Sequence, residues 1–353
     1  MSASRRPFDY PARPIGSFGS LAAHLQVTPQ DLSRAVRLSG ARAYRVVCRE
    51  GEAGGRHPQK VTYDAHQWLK ELQRKINERL LSRISYPAYV VGGIPGRRLR
   101  DAVERHTNAR SLLTFDVTHF FESTQEAHIM RAVQHALKCP PDVAATISSL
   151  GTIDGHLPRG APTSSYLANL MFITDEPELV GYLEGLPHHF RYTRWVDDIT
   201  ISSRVPIGRE AQALVTDRIS AMLRRRNLKF TREKDIPHSQ RKKRRAAWDA
   251  RAILVHNIEV RGDRLIVPKS RRKHVRAGVH KLALETRAAH HLEGDTLLTY
   301  QRLRSKVGYM KHFGHTDIAE LEKTLESIWS AHTRAAGGNP SDGVLDGALD
   351  WNR

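Results

Sequence analysis

Three carboxylates are the residues of this sequence best suited to chemistry. Asp197 and Asp198 stand side by side within Phe190-Arg-Tyr-Thr-Arg-Trp-Val-Asp-Asp-Ile-Thr-Ile-Ser202, and Asp116 follows the apolar run that starts at Ser111. Adjacent carboxylates repel each other, so a pair in apolar surroundings calls for a neutralising cation. A hard divalent ion such as Mg²⁺ suits an all-oxygen donor set. An isolated Asp-Asp is more often an ordinary polar turn, because so short a motif recurs by accident. An aspartate at the end of a neighbouring strand can join the pair across a sheet, and three acids can then serve two cations.

The elements that must position these acids are legible in outline. Tyr192–Trp195 and Ile199–Ser202 are rich in β-branched and aromatic residues and predict a hairpin with Asp197 and Asp198 at its tip. Ser111–Phe121 predicts a strand that ends at Asp116 and runs into two aromatics. Ser123 and Glu126 have capping-box spacing, so a helix is expected just past Phe121, burying Ile129, Val133 and Leu137. Residues 156–170 read as a Gly- and Pro-containing turn that opens an amphipathic helix, with small residues that let a ligand approach the backbone.

Around this centre, Leu21–Leu38 carries two short helical patterns, with Thr28 as the expected cap of the second. Tyr44–Cys48 and Lys60–Tyr63 predict a hairpin bearing Arg49, Arg56 and Lys60, which could reach a triphosphate or be ordinary solvated charge. Leu69, Leu72, Ile76, Leu80 and Ile84 recur at helical spacing. Three further helices are marked by Val275, Val279 and Leu282, by Leu303, Val307 and Met310, and by Ile318, Leu321, Leu325 and Ile328, with Asp317 and Glu320 at cap spacing for the last. The expected division is a helical extension over residues 1–43, a sheet-containing body over 44–265, a helical region over 266–334 and a disordered tail over 335–353.

Charge points to the partner. The 353 residues carry a formal net charge of +19, and residues 224–276 alone hold nineteen Lys/Arg against five Asp/Glu, which suits a polyanion. Arg241-Lys-Lys-Arg-Arg245 and Arg271-Arg-Lys273 lack the apolar face of a membrane-surface helix, so phosphates fit them better. With 40% hydrophobic residues and no apolar stretch of bilayer length or leader pattern, the chain is expected to be soluble, cytoplasmic and free of membrane contact. Two cysteines provide neither a disulfide framework nor a metal cluster.

Phe115-Asp-Val-Thr-His-Phe-Phe121, Leu157-Pro-Arg-Gly-Ala-Pro-Thr-Ser164 and Trp195-Val-Asp-Asp198 together resemble, in order and spacing, the three central motifs of reverse transcriptases. More narrowly, the chain is similar to the bacterial enzymes of retrons, group II introns and phage-defence systems, from about Leu21 to Trp329. It departs from them at Arg159, where many relatives carry Gln, at Ser165, where many carry Pro, and at His106, which follows Asp101-Ala102 one residue late.

The resemblance implies an α+β right-hand polymerase fold with fingers, an antiparallel-sheet palm and a helical thumb. It implies two-metal nucleotidyl transfer with Mg²⁺, or Mn²⁺ in its place, held by Asp116, Asp197 and Asp198. Phe121 matches the family's steric gate against a ribose 2′-hydroxyl. Arg49, Arg56, Lys60, Gly160, Ala161 and Lys234 become nucleotide-contact candidates, and Arg241, Lys242, Lys243, Arg244, Arg245, Arg271, Arg272 and Lys273 nucleic-acid contacts. The partners implied are a structured noncoding RNA template, a DNA/RNA duplex product, deoxynucleotide substrates and a defence effector protein. A template-independent or RNA-synthesising polymerase, and an RNA-binding protein that keeps the fold without catalysis, are the alternatives.

Overall fold

A computed structural model describes residues 8–50, 60–230, 253–289, 292–315 and 318–335. It is an α+β protein whose contacts separate two compact units, residues 1–250 and 251–353. Among the described residues no helix is long and apolar enough to cross a membrane.

The first unit begins with α1 (Phe18–Leu25) and α2 (Pro29–Leu38). Thr28 caps α2 as expected, its hydroxyl accepting from the Asp31 N–H at 3.0 Å, with Pro29 at the first helical position, where its missing donor costs nothing. A hairpin follows, β1 (Tyr44–Glu50) and β2 (Lys60–Ala65), antiparallel with a bulge between Val46 and Cys48. Helix α3 (Gln67–Arg79) buries Leu69, Leu72 and Ile76; Leu80 and Ile84 stay buried beyond its end.

Helix α4 (Leu99–Glu104) leads to β3 (Ser111–Asp116), the single-turn α5 (Phe120–Ser123), then α6 (Glu126–Leu137) and α7 (Pro141–Gly151). The capping box expected of Ser123 and Glu126 does not form. Ser123 is the last residue of α5, Gln125 holds the N-cap of α6 without a side-chain bond, and Glu126 is the first helical residue. The polypeptide makes two short helices where one was expected, because a turn intervenes at Thr124, whose hydroxyl bonds back to the Phe120 carbonyl at 2.6 Å. Ile129, Val133 and Leu137 are nevertheless fully buried.

Helix α8 (Ser164–Leu170) corrects a second expectation. It is not amphipathic: Ser164, Tyr166, Leu167, Ala168, Asn169 and Leu170 are all buried, so its polar residues must find partners inside the protein. Helix α9 (Glu176–Gly185), the hairpin β4 (Arg191–Trp195) and β5 (Asp198–Ser203), and α10 (Arg209–Arg224) complete the unit. The central sheet is antiparallel, in the order β3-β5-β4. Phe115, Ile199 and Ile201 point into one continuous core shared with the surrounding helices.

The second unit contains the meander β6 (Ile253–Val255), β7 (Ile258–Arg261) and β8 (Arg264–Ile266), then α11 (Lys269–Ala289), α12 (Gly294–His312) and α13 (Ala319–Ala335). The apolar positions expected to face inward do so, with Val275, Val279, Leu282, Leu303, Val307, Met310, Ile318, Leu325 and Ile328 buried and Leu321 half-buried. A Cβ on Gly278 would lie 2.8 Å from Leu303, so glycine there sets how closely α11 and α12 approach. Asp317, its proposed cap and the tail from residue 336 lie outside the described residues.

The β6–β7 turn is formed by His256 and Asn257, both at positive φ (46° and 64°). Burial holds the His256 imidazole well below its ordinary value, at about 4. The unfolded chain therefore takes up a proton near pH 6.5 that the folded unit refuses until about pH 4. Stability from this residue is intact above pH 6.5 and is lost as pH falls toward 4, by on the order of 3 kcal/mol. His256→Asn, which keeps a side chain tolerant of positive φ, should remove that dependence. Opening free energies of the β6–β8 amides from hydrogen exchange at pH 7 and pH 4.5 check this; equal pH dependence in both proteins would contradict it.

Candidate active site

The three aspartates come together through backbone pairing. In the register of β3 with β5, Asp116 lies directly opposite Asp198, and the Val117 N–H donates to the Asp197 carbonyl at 3.1 Å. Residues directly opposite in an antiparallel pair share a face of the sheet. All three aspartates are half-buried and sit at one end of the three strands. Among the described residues no group of three or more His, Cys, Asp or Glu side chains is gathered tightly enough to hold a metal ion. The donor types still fit a hard cation: oxygen-only ligands, on neighbouring strands, bordered by apolar residues.

The hairpin tip is a two-residue loop, Val196 and Asp197, between the paired residues Trp195 and Asp198. Val196 has φ 56°, a region that β-branched residues avoid, and such a residue persists only where its surroundings over-determine it. Beneath it lies a polar network that the sequence reading did not find. Arg194 and Glu176 are both fully buried, with Arg194 Nε on Glu176 Oε1 at 2.5 Å and Nη2 on Oε2 at 2.9 Å. Arg194 Nη1 donates to Asn169 Oδ1 at 3.0 Å and to the Val196 carbonyl at 3.1 Å, and Nη2 also donates to the Asn169 carbonyl at 3.1 Å. Every guanidinium N–H thus has an acceptor. Burial works against the charge on Arg194, but Glu176, by its charge and its hydrogen bond, more than offsets this and holds the pKa above its ordinary value. Tyr192 adds a hydrogen bond from its hydroxyl to Glu176 at 2.7 Å.

Asn169 is fully buried and bonded to Arg194 and, through Nδ2, to the Gly92 carbonyl at 2.7 Å. Gly92 and Gly93 were also missed. A Cβ on Gly92 would stand 2.9 Å from Trp195, and one on Gly93, at φ 72°, only 2.5 Å from Ser165. Glycine lets this segment slide between the hairpin and α8. His106 ties the hairpin at its other side, with its two ring nitrogens 2.7 Å from Ser202 and 2.7 Å from Thr193. A buried histidine hydrogen-bonded to two adjacent strands is a structural tie.

The turn at 157–163 is docked against β2 and α3. The Tyr63 N–H donates to the Arg159 carbonyl at 2.8 Å, and Asn77 Nδ2 to the Pro162 carbonyl at 2.7 Å. Gly160 has φ 104°, and a Cβ there would lie 2.6 Å from the Tyr63 carbonyl, which is why this position is glycine. Ala161 is buried. Phe120 is buried and stacks on Phe172 at 6.0 Å, whereas Phe121 is half-buried, with the Arg159 guanidinium 5.0 Å from its ring centre. Arg159 also pairs with Glu122 at 3.5 Å, so this side chain braces α5 from the turn.

The other candidates fall on separate elements or outside the described residues. Arg49 and Lys60 lie on the paired strands β1 and β2, but their side chains, together with Arg56, Lys234 and Arg241–Arg245, lie outside the described residues. Arg271, Arg272 and Lys273 lie within the first two turns of α11 in the second unit. The missed residues gave weak signals: Gly92-Gly93 is a visible breaker, while Arg194 and Glu176 look like ordinary surface charges until the fold buries them.

No family model matches the chain. Comparison with curated proteins finds the Retron Se72 reverse transcriptase of Salmonella heidelberg (strain 579083-10), 27% identical over 316 residues, spanning 89% of this chain and 80% of that protein. The Retron Ec48 reverse transcriptase of Escherichia coli is 24% identical over 343 residues, 92% of this chain and 78% of that one. The Retron Mx65 reverse transcriptase of Myxococcus xanthus is 29% identical over 254 residues, 67% and 56% of the two chains. Similarity of this breadth, joined to three motifs in order and to aspartates meeting at one end of a sheet, makes the chain a homologue of the bacterial retron reverse transcriptases.

Proposed function

We propose that the chain is an RNA-directed DNA polymerase acting by two-metal nucleotidyl transfer, with β3, β4 and β5 as the palm of a right-hand fold, β1 and β2 in the fingers and α11–α13 in the thumb. The observation that carries this reading is the strand register that sets Asp116 opposite Asp198 with Asp197 bonded beside them. Asp116 and Asp197 would hold two Mg²⁺ ions, with Asp198 the weaker partner. Such ions, when bound, activate an attacking hydroxyl and stabilise the leaving pyrophosphate. The rest falls to the protein. Arg194 and Glu176 fix the hairpin tip, Phe121 occupies the space of a 2′-hydroxyl, and Gly160 and Ala161 form part of the floor beneath template and incoming base. Arg49, Arg56, Lys60 and Lys234 serve the triphosphate. The template is a structured noncoding RNA of the kind a retron or an antiviral defence system supplies, held by shape and backbone contacts through Arg241–Arg245 and Arg271–Lys273.

Asp116→Asn and Asp197→Asn should each abolish primer extension while leaving folding and RNA binding intact, because each removes a metal-binding charge. Primer extension with deoxynucleotides and ribonucleotides, with and without template, checks this; near-normal synthesis by either variant would remove the assignment, and synthesis without template would favour a terminal transferase. Phe121→Ala should raise ribonucleotide incorporation relative to deoxynucleotide; unchanged discrimination would return Phe121 to a packing role. Arg194→Met leaves Glu176 buried without its counter-charge and should cost about 3–5 kcal/mol of stability, with synthesis lost even at temperatures where the variant stays folded. Chemical denaturation read beside primer extension tests this, and a loss under about 1 kcal/mol would rule out the supporting role.

A further inference from the structure

Away from the aspartates, the first unit holds a cavity of about 200 Å³ lined by His128, Arg131, Met171, Thr174, Arg225 and Arg226, among others. It lies between α6, the turn that precedes α9 and the end of α10. Every titratable side chain in its lining is a cation or a histidine. Asp175 stands behind them, paired with both Arg225 and Arg226, and Glu178 of α9 also bears on Arg225. That pairing leaves the cluster with a net positive charge once Arg131 is included, and Arg131 is exposed with no ion-pair partner among the described residues.

The cluster is held in place. Arg226 is only 14% exposed, and its Nε donates to the Met171 carbonyl at 2.8 Å while Nη2 donates to Thr174 Oγ1 at 2.7 Å. These bonds and the Asp175 contact use Nε and Nη2, which leaves Nη1 for another acceptor. His128 Nδ1 is buried and has no hydrogen-bond partner. A buried polar atom without a partner is uncommon and needs a reason. Burial, reinforced by Arg226 and Arg131, keeps the imidazole below its ordinary value. The carbonyl end of α10 opposes an anion here, and so do Asp175 and Glu178; three guanidinium groups outnumber the two acids.

The geometry points to this cavity as a phosphate-binding site for the backbone of a nucleic acid, with Arg131, Arg225 and Arg226 supplying charge and His128 Nδ1 a hydrogen bond. The site reads no sequence and is separate from the aspartates. A phosphate fits the combination of a guanidinium fork, a small volume and a buried imidazole nitrogen better than a carboxylate does, since its oxygens accept from several directions. Taking nucleic acid as the source rests on the polymerase reading above; the phosphate chemistry does not.

The test is histidine side-chain NMR on the full chain, with the His128 signal identified by its loss in His128→Gln. Single-stranded RNA at saturating concentration, monitored by anisotropy, should raise the protonated population of His128 roughly tenfold at fixed pH, as an opposite charge in contact does. Arg131→Glu should abolish that gain and lower the slope of log affinity against log salt by about one. An identical gain with inorganic phosphate alone, and none with RNA, would make this a free-phosphate site and overturn the nucleic-acid source. No gain with either, or no binding of RNA, would overturn the site altogether. Because synthesis is not the readout, inactivity in primer extension would count against the polymerase reading and leave this result standing on its own.

Discussion

The candidate site depends on a buried ion pair. Taking Arg194 and Glu176 out of water is costly, and removing either would leave the other uncompensated. The pair persists because each hydrogen-bonding group is matched: five guanidinium donors face Glu176, Asn169 and the Val196 carbonyl. An apolar replacement of similar volume is no worse for stability in general, so the pair is better understood as a device for specificity. What it specifies is where the tip of the hairpin stands. Val196 occupies a disfavoured backbone region, and the donor under its carbonyl holds it there.

Much of this was legible in the sequence. The hairpin, the strand ending at Asp116 and the buried faces of α3, α6 and α11–α13 follow from periodicity, because each repeats one local rule over several turns or pleats. The register that sets Asp116 against Asp198 was expected only as a meeting across a sheet, since pairing depends on which strands become neighbours. The capping box at Ser123 and Glu126 failed because spacing alone cannot report the turn at Thr124 that separates α5 from α6. The buried ion pair and the Gly92-Gly93 contact were illegible for a different reason. Charge and small size are local properties, and their roles here arise from residues between 18 and 103 positions away.

Arg159 shows how a departure from the family pattern can be absorbed. Where many relatives of the resembling family carry Gln, this chain places a cation on the Phe121 ring and beside Glu122. A cation over an aromatic face is attractive, and a half-buried setting strengthens it. The turn keeps its backbone contacts to β2 regardless of that side chain, since they run through the Arg159 carbonyl and Gly160. Side-chain identity and backbone geometry are therefore separable at this position.

The docking of that turn on β2 connects with the hairpin tip. Gly160 rests on the Tyr63 carbonyl, the Tyr63 N–H holds the Arg159 carbonyl, and Asn77 of α3 grips the turn from its far end at Pro162. The hairpin β1–β2 and the turn are therefore joined at Tyr63. The contacts continue through Ser164, whose hydroxyl donates to the Pro158 carbonyl, to the start of α8. Helix α8 carries Asn169, so this chain of contacts reaches the guanidinium beneath the hairpin tip.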